Sequence, residues 1–386
     1  MRIPRVGRGN ARAAWAAGVL AIALTVPAAA SLTEGGDRAG ARVRQPPPLV
    51  AEPVEPPGEM GDHGLQRLAA GATASAPFEH QVIEIVNEER LAVGLPPLKG
   101  NDLLTNAAEG HSERMAVADF FDHCDPDVPA NANQFFERMS AAGYHWATAA
   151  ENIAAGSSSP TGVMAQWMSS QGHRDNILDA DGFGHREIGV GYFEQAGDQG
   201  NVRRDFNGDC VPDSSASGPF FRYWTQNFGR RNGVHPVIVE REAWETSCAE
   251  VELYTYGQGV FTQMRFSNDG ATWSPWTAFS PDAQWTLPGG ASGTATVWAQ
   301  LGNGGVAQHQ ATDTIRLAAD YPALSVLDLS ADTVIGAESF VACDTLSAGD
   351  GFHVALGGTA TFSARRVVLR DGFSVADGGE LRVTTR

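Results

Sequence analysis

Lysine is nearly missing from this chain of 386 residues: Lys99 is the only one. Schiff-base or Ser-Lys chemistry therefore has a single residue to rest on, and Lys99, beside Gly100 after Leu95-Pro96-Pro97, reads as a solvated turn residue. Positive charge is scarce altogether. The formal net charge is −18, and −22 without Arg2, Arg5, Arg8 and Arg12, the only charged residues of the first thirty. So acidic a chain excludes nucleic acid and anionic membranes as natural partners. Cysteine is limited to Cys124, Cys210, Cys248 and Cys343, with no C-x-x-C pair, which excludes the common zinc-ribbon spacing. Long apolar runs are missing too. The run Ala13 to Val26 is shorter than the roughly 20 residues a spanning helix needs.

That run follows the four arginines and precedes Pro27-Ala28-Ala29-Ala30, so residues 1–30 read as a secretory signal. The mature chain is expected to be exported, extracellular or periplasmic, with no transmembrane segment. Export permits disulfides. The four cysteines either pair, in a connectivity the sequence does not show, or sit as small buried thiols.

Residues 31–77, centred on QPPPLVAEPVEPPGE, have no apolar period and read as a Pro/Gly-rich linker. Helical patterning begins at Phe78, with Val82, Ile85, Val86 and Val93 on one stripe. A second helix carries Leu104, Ala107, Ala108 and Met115 inward, a third covers Gln134 to Ala142, and a fourth starts at Pro160 and buries Val163, Met164 and Trp167. Glu187 to Phe193 and Phe220 to Phe228 then read as strands. One layered α/β domain over 78–231 follows. Residues 240–318 hold short strand-like runs between NDG, SPW and PGG turns and predict a small β-sandwich. In 325–386, DGFHVALGG at Asp350 recurs as DGFSVADGG at Asp371, a period of 21 residues that pairs Leu346 with Val367 and Phe362 with Val383. That is the signature of a solenoid-like β module. The fold class is α+β.

Within the first domain, AENIAAG places Glu151 among small apolar residues. A carboxylate removed from water needs a cation, a metal or good donors to stay ionised. Eight ordered motifs bear on what surrounds it: VNEERLAVGLPPL, AAEGHSERMA, FFDH, AGYHW, ENIAAG, WMSSQGHRDNIL, EIGVGY and YWTQNFG. In these the domain resembles the CAP superfamily (SCP and PR-1-like proteins), in its bacterial secreted SCP branch. The resemblance implies a three-layer α-β-α sandwich with a cleft that holds two histidines and two glutamates in many relatives. His123 and Glu151 match the first of each. Ser170 stands where the second glutamate would be and Tyr223 where the second histidine would be. His173 of the GHR motif is the candidate to fill the vacancy. His123, Glu151 and His173 would then suit zinc or another divalent cation, whereas a buried His123–Glu151 pair tying two loops together explains the same residues. Asn87 and Arg90 either support the cleft or make surface hydrogen bonds. His111, on an apolar stripe, reads as core.

Asp205, Asn207, Asp209 and Asp213 present oxygens at positions one, three, five and nine of a loop that looks like the calcium loops of dockerins. Cys210 replaces the usual glycine there, and position twelve is Ala216. The loop binds calcium or is a solvated acidic hairpin. The later segments resemble immunoglobulin-like repeats and stacked GF…GG modules of exported proteins. The functional readings are a secreted binding protein whose cleft takes a small apolar or glycan-like ligand, or a surface component, or a divalent metal; a metal-assisted hydrolase using His123 and Glu151; and a structural adhesin with a disused cleft. No serine or cysteine lies in a nucleophile motif, which favours the non-enzymatic readings.

Overall fold

The computed structural model describes residues 76–205, 207, 209–289, 293–319 and 321–384, and residues 41–44, 214–217 and 385 by their backbone alone. The signal segment lies outside the described residues. The 31–77 segment is not featureless where it is described: Ala41–Arg44 (β1) pairs antiparallel with residues Thr148–Glu151 of the first domain's sheet, a departure from the expected linker. A four-residue edge strand is too short for any hydrophobic period to reveal it.

The first domain runs α1 (Phe78–Ala92), β2 (Lys99–Gly100), α2 (Asp102–Val117), α3 (Phe135–Ala141), β3 (Thr148–Ala155), α4 (Pro160–Ser169), α5 (Gln171–Ile177), β4 (Glu187–Glu194), β5 (Val202–Arg204), β6 (Ser214–Ser217) and β7 (Arg222–Arg230). Its five-stranded sheet has the order β1-β3-β7-β4-β2. Val82, Val86, Val163, Trp167 and Ile177 of α1, α4 and α5 pack on one face, against Ala150, Ala154, Trp224 and Phe228. Leu104, Phe135 and Met139 of α2 and α3 cover the other with Ala149, and Met115 meets Ile153 and Tyr223. This is the three-layer α-β-α arrangement. Helix α2 starts where the Asn101 side chain accepts from the N–H groups of Leu103 and Leu104. It lies directly on β4 because Gly189 and Gly191 have no Cβ. One added at either position would collide with the α2 backbone.

The second module joins β8 (Val237–Val239), β9 (Glu245–Thr246), β10 (Glu250–Thr255), β11 (Gln263–Ser267), β12 (Thr277–Ala278), β13 (Asp282–Thr286), β14 (Gly293–Asn303) and β15 (Val306–Leu317). Sheets of order β13-β10-β8 and β12-β11-β14-β15-β9 enclose a core of Val239, Val251, Leu253, Phe266, Val297, Leu301 and Ile315. The third module is a parallel β-coil. Strands β16 (Val326–Leu329), β17 (Thr333–Val334), β18 (Ala337–Val341), β19 (Thr345–Ala348), β20 (His353–Val354), β21 (Thr359–Ala364), β22 (Arg366–Leu369), β23 (Ser374–Val375) and β24 (Glu380–Thr385) stack in three parallel three-stranded sheets. Leu346 pairs with Val367 and Phe362 with Val383, the register the 21-residue repeat predicts. Phe340, Phe352, Phe362 and Phe373 form one aromatic cluster in its core, mostly edge to face, with Phe352 and Phe373 stacked.

The cysteines pair as Cys124–Cys210 and Cys248–Cys343, with Cα–Cα distances of 5.6 and 5.4 Å. The first ties the loop after α2 to the loop between β5 and β6, and the second ties the sandwich to the β-coil.

Lys99 is not a solvated turn residue. Its side chain is 12% exposed and bonds to Glu242 and Asp313. The connection after residue 231, which the composition marks as a domain boundary, is packed rather than open. Trp244 N–H donates to Glu84, Tyr256 O–H to the Pro97 carbonyl, and the Asn87 amide to the Arg241 carbonyl. Glu240, Arg241 and Glu242 adopt φ of 46, 55 and 69°, a left-handed run that non-glycine residues hold only where surrounding contacts enforce it.

Candidate functional site

Glu151 lies on β3, whose residues are buried on both faces. Successive strand side chains point to opposite faces, so Glu151 and Asn152 serve different layers. Glu151 turns toward α2 and α3, and its side chain is 0% exposed. His123 Nδ1 lies 2.9 Å from Oε1. Arg138 Nη2 donates to Oε1 at 3.0 Å and to Oε2 at 2.8 Å. Asn227, opposite Glu151 on β7, donates to Oε2 at 3.2 Å once its amide is oriented by its hydrogen bonds. His111 Nε2 stands 3.9 Å from Oε1 and 2.9 Å from the Asp122 carbonyl.

These contacts answer how a buried carboxylate remains charged. Burial alone would raise its pKa, but the Arg138 guanidinium, followed by His111 and His123, outweighs burial and holds Glu151 down to about 2. His111 goes the other way. Burial, then Arg138, lowers it to about 3, so it is a neutral imidazole near pH 7. It is a core residue, as its stripe implies, and it borders the carboxylate as well.

Arg138 is the residue that sequence reasoning missed. It sits on α3 between buried Phe135 and Met139, and a cation on an apolar helix stripe was the available signal. Its Nη1 also donates to the carbonyls of His123 at 3.0 Å and Asn133 at 2.9 Å, so one guanidinium fastens the FFDH loop, α3 and β3 together.

The remaining candidates lie elsewhere. Helix α5, with His173, packs on the Asn152 face: the Asn152 amide donates to the His173 carbonyl at 3.1 Å, and Asn176 donates to Asn152 Oδ1 at 2.9 Å. Because β1 extends the sheet beyond β3, the sheet stands between that layer and the Glu151 carboxylate. Ser170 is at the α4–α5 junction of the same outer layer. Tyr223 lies on the α2 face, where its hydroxyl donates to Asp198 at 2.8 Å. Asn87 clamps Leu98 through both its backbone groups, and Arg90 donates to the carbonyls of Pro96 and Ile177. Both brace α1 rather than the carboxylate.

A divalent cation does not fit beside Glu151. Both its oxygens already meet a guanidinium, which a dication would have to displace, His111 Nε2 is engaged by the Asp122 carbonyl, and Ser170 and Tyr223 supply no second carboxylate. Among the described residues no three or more His, Cys, Asp and Glu side chains are grouped to hold a metal.

In loop 205–213 the Asp205 carboxylate accepts from the N–H groups of Asn207 at 2.9 Å and Cys210 at 2.7 Å. Asp213 accepts from Asn207 N–H at 3.2 Å, and Asp209 accepts from Val211 N–H at 2.9 Å. Cys210 holds φ of 64° where a glycine would be at ease.

Residues 83–228 match the model of the cysteine-rich secretory protein family, CAP. This segment is a CAP domain. Two Bacillus subtilis proteins are similar to it. The uncharacterized protein YkwD is 40% identical over 127 residues, 32% of this chain and 47% of its own length. The uncharacterized membrane protein YlbC is 29% identical over 112 residues, 29% of this chain and 31% of its own. The chain thus spans less than half the length of these curated relatives. Among solved structures, an extracellular protein containing an SCP domain from Bacillus anthracis is 24% identical, with a TM-score of 0.30 over 42% of this chain and 45% of its own. An outer surface protein from Borrelia burgdorferi is 14% identical, with a TM-score of 0.29 over 39% of this chain and 90% of its own.

Proposed function

We propose that this chain is an exported, non-enzymatic binding protein in which the CAP domain is a rigid head carried on two β modules. The observation that carries this reading is the wholly buried Glu151, whose oxygens are taken by Arg138 and His123. A general base must reach its substrate's proton, and this carboxylate has neither access to solvent nor a free oxygen to accept it. Its role is to brace the head.

The ligand class we propose is a glycan-like surface component. On the sandwich, the Arg265 guanidinium stacks on Trp273 at 5.2 Å and Trp276 at 4.5 Å. Gln300 accepts from Arg265 at 2.9 and 2.7 Å and passes the chain to Gln310 at 2.9 Å. Half-buried indoles beside amides and a guanidinium suit the apolar face and hydroxyls of a sugar ring. The test is retention of the full chain on immobilised cell-surface polysaccharide. Retention by the parent and release of Trp276→Ala is expected. Hydrolysis of a substrate panel, abolished in a folded Glu151→Gln variant, would replace this reading with the hydrolase. We further propose that loop 205–213, whose carboxylates are here turned onto its own backbone N–H groups and, among the described residues, not grouped for a metal, regroups the oxygens of Asp205, Asn207, Asp209 and Asp213 around calcium as a structural ion.

A further inference from the structure

The only lysine of the chain is buried between two carboxylates from other elements. Lys99 Nζ of β2 lies 2.8 Å from Asp313 Oδ1 on β15, and 2.9 and 3.0 Å from Glu242 Oε1 and Oε2. Their side chains are 12, 3 and 7% exposed. Asp313 is fixed on the backbone: Val239 N–H donates to Oδ2 and Thr314 N–H to Oδ1, each at 2.7 Å. Glu242 is fixed as well, by Gly100 N–H on Oε2 at 3.0 Å and by His80 Nε2 at 2.7 Å from its carbonyl.

We propose that this triad forms an intramolecular amide between Lys99 Nζ and Asp313 Cγ, with Glu242 moving the protons, so that the CAP domain and the sandwich are covalently joined. The chemistry balances without an added reagent. Lys99 passes one proton to Asp313 Oδ1 along their hydrogen bond. The neutral amine attacks Cγ, protonated Glu242 delivers its proton to Oδ1 while its other oxygen takes a second proton from nitrogen, and the Cγ–Oδ1 bond breaks to release water. Nitrogen keeps one proton, Oδ2 becomes the amide oxygen, and Glu242 ends as it began.

Four features favour the reaction. Lys99 Nζ already lies 2.8 Å from a carboxylate oxygen of Asp313, which lowers the entropic cost of bringing the two groups together. Val239 N–H is aimed at the oxygen on which negative charge develops during attack. The site is nearly dry, which lessens hydration of the charged ammonium and carboxylate and so eases proton transfer between them. Two carboxylates share one lysine, and burial, then Asp313, pushes Glu242 up to about 8, so it carries a transferable proton near neutral pH. Burial disfavours the Lys99 ammonium, but Asp313 and Glu242 outweigh burial and raise its pKa. The first proton transfer, from Lys99 to Asp313, is therefore the uphill step.

The single lysine makes the test clean. The purified full chain is reduced, denatured and weighed by intact mass spectrometry, then labelled with an amine-reactive reagent. The expected result is a mass lower by one water than the residues require, one labelled amine (the α-amino group), and a cross-linked peptide pair containing Lys99 and Asp313. Lys99→Arg should restore the full mass. Asp313→Asn keeps the shape of the site and should lose ammonia instead of water while forming the same amide. A parent at full mass with Lys99 labelled overturns the proposal, as does a water loss that persists in Lys99→Arg. Full cross-linking in Glu242→Gln overturns the role given to Glu242.

Discussion

Two buried carboxylate clusters in this molecule are comparable in burial and opposite in behaviour. In the CAP core, one carboxylate, Glu151, faces the Arg138 guanidinium and is held down to about 2. Between the CAP domain and the sandwich, two carboxylates, Glu242 and Asp313, share Lys99, and Glu242 is pushed up to about 8. Burial penalises the charged form in both. The difference is stoichiometry: one anion with one fixed cation is balanced, whereas two anions with one cation retain a proton. A guanidinium also spans both oxygens of Glu151 at once, while an ammonium is a point charge that can give up its proton. The first cluster is built to stay as it is, and the second has the parts for chemistry.

Removing the cation from the balanced cluster should have the largest effect. Arg138→Met leaves Glu151 buried without its cation and should lower unfolding stability by about 3–5 kcal/mol, read from denaturant midpoints. An unchanged midpoint would break the comparison. Glu151→Gln should cost less, about 1.5–3 kcal/mol for lost hydrogen bonds to a charged group. The double variant should cost less than the two single losses added, since both remove one interaction.

The pH dependence should separate the clusters further. Glu151 has an ordinary value of 4.5 and about 2 when folded, so its contribution is complete above 4.5 and is lost as pH falls toward 2. His111, ordinarily 6.5 and about 3 when folded, extends this acid loss upward, beginning near 6.5. Glu242 has the reverse sign. Its folded proton is held from 4.5 to about 8, so native stability declines as pH rises through that window and levels off above it. Melting temperatures should therefore fall toward acid pH and, in chains where Lys99 and Asp313 are not joined, fall again as pH rises to about 8, and Glu242→Gln should flatten that second decline alone. A Glu242→Gln profile that still declines toward pH 8 would detach that slope from the interdomain cluster.

The smallest effect is expected at the acidic loop. Calcium should raise the melting temperature of the parent by mass action, and Asp205→Ala with Asp209→Ala should remove the rise. An unchanged parent melt with calcium removes the ion from loop 205–213.

Much of this architecture was legible beforehand. The apolar stripe at Val82 and Val86 and the proline at the start of α4 mark helices, and the Asp350 and Asp371 repeats set the β-coil register. The ENIA and FFDH motifs brought His123 and Glu151 together by resemblance, and the structure places them in hydrogen-bond contact. Strand β3 was not legible. Its alanine-rich sequence has weak strand preference and is buried on both faces, so no alternation betrays it. Without that strand, the opposite facing of Glu151 and Asn152, and hence the separation of His173 from the carboxylate, could not be foreseen.

By itself the sequence determined what depends on neighbours along the chain: helix stripes, turn-bounded strands, the 21-residue period and the requirement that a charge at Glu151 be compensated. Tertiary structure decided which groups meet that requirement. Arg138 faces Glu151, Cys124 meets Cys210 across 86 positions, and Lys99 meets an aspartate far along the chain instead of water. The reason is physical. Hydrogen-bonded periodicity repeats over a few residues and is written locally, whereas burial and Coulomb attraction act through space and fall to whichever side chains the packed layers bring within reach.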